Sequence, residues 1–374
     1  MTRTPLSRTS ALAAALTGAA ALLATAGTAS AAPVPPSVFV LDDAVSGNAV
    51  HAYSRQADGT LASVGTYATG GLGGQLAGSV VDHTASQGAL AADRAHQELL
   101  AVNPGSDTLS VLRVHNHSLS LREVVATGGA FPVSVTSSGD AVYVLNARDG
   151  GSISGFRWVG NRLVAVPAWH RELHLPVPAA EFVSTPGQVA VTPDGTHLVV
   201  TTKASTASIL VYGLDASGAP AAAPVATQVP GTVPFAVASD AAGHLAVAFA
   251  GTSEVRTYAV AADGTLTTLG QVATGQAATC WIAASGDLLV ASNAGSGTVS
   301  RIQVGAGGGL TALGTTATDP GTVDSAFTPD GSELFVQTGA TGTVDAYAVD
   351  GTTLTPLGST VVPGAVGGEG IVAW

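Results

Sequence analysis

The chain has one cysteine, Cys280, and one lysine, Lys203. A single cysteine excludes an intramolecular disulfide, so stability must come from packing and backbone pairing, with Cys280 read as a small buried apolar residue. Charge is sparse as well: Asp, Glu, Lys and Arg make up 10% of the chain, with 25 acidic against 13 basic residues and a formal net charge of -12. That balance excludes the basic face that nucleic acid or an anionic bilayer would require. No helical period of 3.6 persists beyond the first thirty-two residues. There is also no Gly-x-Ser-x-Gly elbow or phosphate-cradling loop in a strand-to-helix setting, so the 47 glycines belong to turns.

What is present begins with Arg3 and Arg8, an Ala/Leu-rich run from Ala11 to Ala24, and the small-residue pattern Ala29-Ser30-Ala31. Residues 1–32 therefore read as a Sec signal peptide cleaved near Ala31-Ala32, which makes the protein secreted. The apolar run is short, and Pro33, Pro35 and Pro36 follow it rather than a stop-transfer charge cluster, so no membrane insertion is expected. Residues 33–374 show no linker and no change of composition, and they read as a single domain.

One unit recurs through that domain: a short apolar strand, an Asp-Gly turn, a second apolar strand, a Gly/Ser loop and further strands. In its clearest copy, Ser325 to Phe327 passes through Thr328-Pro329-Asp330-Gly331 into Leu334 to Gln337, then Thr343 to Val349, and after Asp350-Gly351 into Thr353 to Leu357. The first strand opens near Ala89, Pro132, Gly187, Pro234, Thr279, Val323 and Gly368, at spacings of 43, 55, 47, 45, 44 and 45. Seven four-stranded units of this period predict an all-β, seven-bladed β-propeller. The last copy stops after one strand, whereas Val38 to Leu41 begins in mid-unit. The C-terminal strand is thus expected to complete the N-terminal blade and close the ring.

Leu100-Ala101-Val102-Asn103, Tyr143-Val144-Leu145-Asn146 and Val290-Ala291-Ser292-Asn293, with the Asp-Gly-Thr-Leu turns at 58–61 and 263–266, resemble the lactonase-like and YVTN-type bacterial propellers. The resemblance covers the chain after residue 32. It implies the propeller fold and brings in relatives of the 6-phosphogluconolactonase and muconate-lactonising type, which group His, Arg and Glu at one channel mouth. The inner strands of such enzymes open with His-containing motifs, whereas here they open with Ala130-Phe131-Pro132, Thr185-Pro186-Gly187-Gln188 and Val233-Pro234-Phe235, so no catalytic histidine carries over.

In such a ring, the starts of the inner strands and the ends of the second strands meet on one channel face. A hydrolase needs a base for water and a cation or N–H donors for the oxyanion, and Glu369, Asp324, Lys203 and Arg148 are the candidates of those types. Asp42, Asn103, Asn146, Gln188, Trp281 and Asn293 are candidate binding residues on the same face. No cofactor and no metal are expected. The segment from Trp158 to Pro186, with His170 and His174, is the long insertion; its prolines oppose a zinc-binding helix, and it reads as an exposed edge. The leading expectation is a non-catalytic, monomeric propeller that binds a small molecule, glycan or partner protein. The alternatives are a lactone hydrolase and a cell-surface adhesion module.

Overall fold

The computed structural model describes residues 37–176 and 180–374, so the signal-peptide reading lies outside the described residues. Seven antiparallel sheets follow one another around a central channel, six of them meanders of four strands in chain order and the first completed by the C-terminal strand, with one extra short strand in the third. Blade 1 takes 37–68, blade 2 90–126, blade 3 132–172, blade 4 189–228, blade 5 234–273, blade 6 279–317 and blade 7 322–361. The chain is thus a seven-bladed β-propeller.

Burial follows from radial stacking. The second strands, such as Glu98–Asn103 and Leu288–Asn293, are buried at every position because a neighbouring blade covers each face. Outer strands such as Leu310–Ala317 alternate between half-buried and exposed residues. The apolar clusters consequently lie between blades: Leu100, Val102 and Val111 of blade 2 pack with Val142, Val144 and Phe156 of blade 3.

Ring closure follows the sequence expectation. Ile371–Ala373 is the inner strand of blade 1 and pairs antiparallel with Ser37–Leu41, Val38 facing Ala373 and Val40 facing Ile371. Trp374 adds a reciprocal backbone pair with Ser37, at 2.7 and 3.3 Å.

The recurring asparagines lock blades together internally. Asn103 donates to Thr108 Oγ1 and Ser110 Oγ at 3.1 and 2.7 Å, and Asn293 donates to Thr298 Oγ1 and Ser300 Oγ at 3.1 and 2.9 Å. Asn146 repeats the arrangement toward Ser152 and Ser154. Each amide ties the end of a second strand to the start of the third, where the backbone ladder must turn.

Candidate functional site

The channel is plugged on one face by the connection between Ala68 and Leu90. At its far end this segment reaches four blades in three residues, 86–88. The Ser86 hydroxyl donates to Val133 O of blade 3 at 2.8 Å, and Gln87 N donates to Gly187 O at the entrance to blade 4. The Gln87 amide exchanges two hydrogen bonds with the Ile282 backbone of blade 6, at 3.0 and 2.8 Å, and Gly88 N donates to Glu369 Oε1 before the closing strand of blade 1. The segment also rests on blade 7, where a Cβ at Gly339 would lie 1.6 Å from Val81 O, so only glycine permits the contact.

Between this plug and blades 4 to 6 lies a cavity of about 500 Å³. Its walls are Val81, Ala85, Val233, Phe235, Ala278 and Trp281, with Phe182 approaching from the short helix Glu181–Ser184. Phe235 and Trp281 meet edge to face at 4.9 Å, and the indole N–H of Trp281 donates to Ser86 O. Among the described lining residues the ionisable side chains are Asp82, Lys203 and Cys280. Burial pushes the Cys280 thiol up to about 12, so it stays protonated and inert at neutral pH. Val233 holds φ of 55°, an unusual backbone state for a β-branched residue, kept by the loop that packs it into the wall.

Asp82 is fully buried. Its Oδ1 accepts from Thr84 N at 2.7 Å and Thr84 Oγ1 at 2.8 Å, and its Oδ2 accepts from Ser86 N at 2.8 Å, leaving Oδ2 one further lone pair. Desolvation raises its pKa to about 6 against those hydrogen bonds and the field of Lys203. Desolvation likewise lowers Lys203 to about 7, with Asp82 opposing the shift. Lys203 Nζ donates to Ala85 O at 2.6 Å, Phe182 O at 2.8 Å and Thr185 Oγ1 at 3.0 Å, which uses all three of its donors. Nearby, the buried carboxyl of Glu369 lies in the field of Asp324. Burial raises Asp324 to about 6 and Glu369 well above the usual carboxyl range. Asp43 is raised by burial too, and neither carboxyl oxygen finds a partner among the described residues.

These buried groups set a pH dependence. Carboxyls whose folded pKa lies above the unfolded value of about 4 stabilise the fold at acid pH, and that contribution is lost as pH rises toward 6. Lys203 acts in the opposite range: its folded pKa of about 7 lies below the unfolded 10.5, so its contribution is lost as pH falls from 10.5 to 7. Stability should therefore be lowest near neutral pH, by on the order of 3 kcal/mol relative to pH 4.5, with partial recovery at pH 9.5. Urea denaturation at the three pH values checks this, and a maximum at pH 7 would contradict it.

The structure gathers three sequence-derived candidates, Glu369, Asp324 and Lys203, at the plugged end of the channel. Arg148 stands apart, paired with Glu181 at 2.9 Å and stacked over Phe131 beside a smaller pocket. Trp281 lines the cavity. The NH₂ groups of Asn103, Asn146 and Asn293 are committed to the blade locks, while Asn146 Oδ1 is buried without a partner among the described residues. Asp42 accepts from the Ala44 and Ala49 backbone and contacts the His51 ring, and Gln188 accepts from Val237 N at 2.6 Å. Because its ammonium is buried and saturated, Lys203→Met should cost about 3–5 kcal/mol by orphaning the Ala85 and Phe182 carbonyls. Thermal denaturation of the variant checks this, and a melting temperature equal to that of wild type would contradict it. The histidines of the insertion sit at the edge: His170 pairs with Glu172 at 2.8 Å. Among the described residues no group of three or more His, Cys, Asp or Glu is arranged to hold a metal ion.

Asp82 and Ser79 escape a reading of the sequence alone. Ser79 lines the same cavity, and its Oγ is buried without a partner among the described residues. Their signal was the length of the connection after Ala68. The inner strand of blade 1 comes from the C-terminus, so the first repeat interval cannot be measured along the chain and its extra residues stay hidden.

The family model of the lactonase seven-bladed β-propeller matches residues 197–370. A search of curated proteins found no match. Among solved structures, the Pseudomonas aeruginosa periplasmic gluconolactonase PpgL is 18% identical, with a TM-score of 0.69 over 90% of this chain and 98% of its own. A Bacteroides fragilis protein assigned as a 6-phosphogluconolactonase is 20% identical, with a TM-score of 0.71 over 91% and 98%. A Lactobacillus plantarum protein is 19% identical, with a TM-score of 0.73 over 91% and 99%. At these identities the structural likenesses establish the fold, and the family match covers blades 4 to 7. The chain is a seven-bladed β-propeller whose second half matches the lactonase family model.

Proposed function

We propose that the protein is an exported lactone hydrolase whose reaction centre is the cavity beneath the 69–89 plug, with Asp82 as general base. The observation that carries this is a carboxyl with a pKa of about 6 in a mostly apolar cavity, ionised at neutral pH and retaining one open lone pair. The lactonase family match favours hydrolysis over the ligand-binding reading drawn from the sequence. Export rests on residues 1–32 alone.

In the proposed reaction, Asp82 takes a proton from water as the oxygen attacks the lactone carbonyl. The Ser79 hydroxyl, which has no partner of its own among the described residues, donates to the developing oxyanion. Lys203 contributes only through its field, since its N–H groups are occupied. Collapse breaks the ring C–O bond, and protonated Asp82 returns its proton to the departing alkoxide, giving a hydroxy acid. The test is acid release from a panel of γ- and δ-lactones and sugar lactones by the purified protein. Turnover above the uncatalysed rate supports the reading; its absence across the panel returns the protein to the class of binding propellers.

A further inference from the structure

We infer that the substrate is an uncharged lactone carrying an alkyl chain, in contrast to a phosphorylated or polyhydroxy sugar lactone; this rests on the hydrolase reading above. A phosphate or carboxylate in the cavity would need a cation with free donors. Among the described lining residues the one basic side chain is Lys203, and its three N–H groups are spent on Ala85, Phe182 and Thr185. The nearest anions, Asp82 and the Asp324–Glu369 pair behind it, would repel a second negative charge where burial already disfavours the first. Arg148, the other cation among the candidates, is engaged with Glu181 and lines a different pocket.

The walls exclude a sugar by a separate argument. Val81, Val233, Phe235 and Ala278 offer no side-chain donors or acceptors, and the indole N–H of Trp281 is given to Ser86 O. Beyond Ser79 and Asp82, which the reaction itself uses, hydroxyls of a polyhydroxy lactone would leave water for side chains that cannot pair with them. Methylene groups meet the opposite situation, since the same side chains gain by covering apolar surface. The volume of about 500 Å³ leaves room for a chain beyond the lactone ring.

The experiment measures kcat/KM for γ- and δ-lactones of increasing alkyl length, beside gluconolactone and its 6-phosphate. Binding of the matching lactams, which resist hydrolysis, is followed by calorimetry. The expected result is a rise of roughly fourfold per methylene until the cavity is filled, with the phosphorylated sugar lactone the poorest substrate. Ala294→Phe, at the cavity wall, should lower the chain length at which the rise stops. Hydrolysis that is flat in chain length, or fastest for the phosphate, overturns this inference and leaves the hydrolase reading intact. Chain-length-dependent lactam binding without turnover of any lactone overturns the hydrolase reading and supports an apolar ligand. Neither turnover nor lactam binding overturns both.

Discussion

Asp82→Asn is expected to lower kcat for lactone hydrolysis by about 10²–10⁴-fold while leaving the propeller folded. The amide keeps an acceptor for Thr84 N and Thr84 Oγ1 but cannot take a proton from water. Its NH₂ group meets Ser86 N, donor against donor, which costs about 1–3 kcal/mol. Removing a buried negative charge beside Asp43, Asp324 and Glu369 offsets that cost, since each of those carboxyls feels Asp82 as a repulsion. The wild-type rate should rise with pH through an apparent pKa near 6, the limb that the Asn variant lacks. Activity within threefold of wild type in a folded Asn variant would remove Asp82 from the mechanism.

Deleting residues 367–374 should abolish cooperative unfolding altogether. The deletion removes the inner strand of blade 1 and leaves the Val38–Val40 edge without its partner at the channel wall. Ile371, Val372 and Ala373 are each over nine-tenths buried, and burying side chains of the two larger types contributes about 1.5–3 kcal/mol apiece. Glu369 goes with them, which strands Gly88 N and Ala89 N of the plug. These losses together approach the whole stability of an ordinary domain, about 5–15 kcal/mol. Near-UV circular dichroism and urea titration of the truncated chain measure the effect. A cooperative transition within about 2 kcal/mol of wild type would mean that the other six blades hold the ring without the closing strand.

The blades were legible because each is local. Alternation of apolar residues, Asp-Gly turns and a period near 45 residues all act within one meander, so the inner strands were located to within three residues: Ala89 against Leu90, Gly187 against Val189 and Gly368 against Ile371. Closure by Ile371–Ala373 was legible too, since an unfinished repeat at one end and a headless one at the other admit one pairing. The channel-face set was legible in position but less so in role. Asn103, Asn146 and Asn293 stand at the ends of their second strands, yet only the register of the third strand shows their NH₂ groups given to Thr and Ser hydroxyls.

Residue types and repeat period therefore determined the number of blades, how the ring closes and which strand ends meet on one face. Tertiary structure decided what that face can do. Burial cannot be assigned one residue at a time: Lys203 is a saturated strut and Asp82 a carboxyl near pKa 6 because two connections distant in sequence, 69–89 and 180–186, fold over the same channel mouth. The protonation of a carboxyl depends on how much water its neighbours exclude, and those neighbours come from blades across the ring.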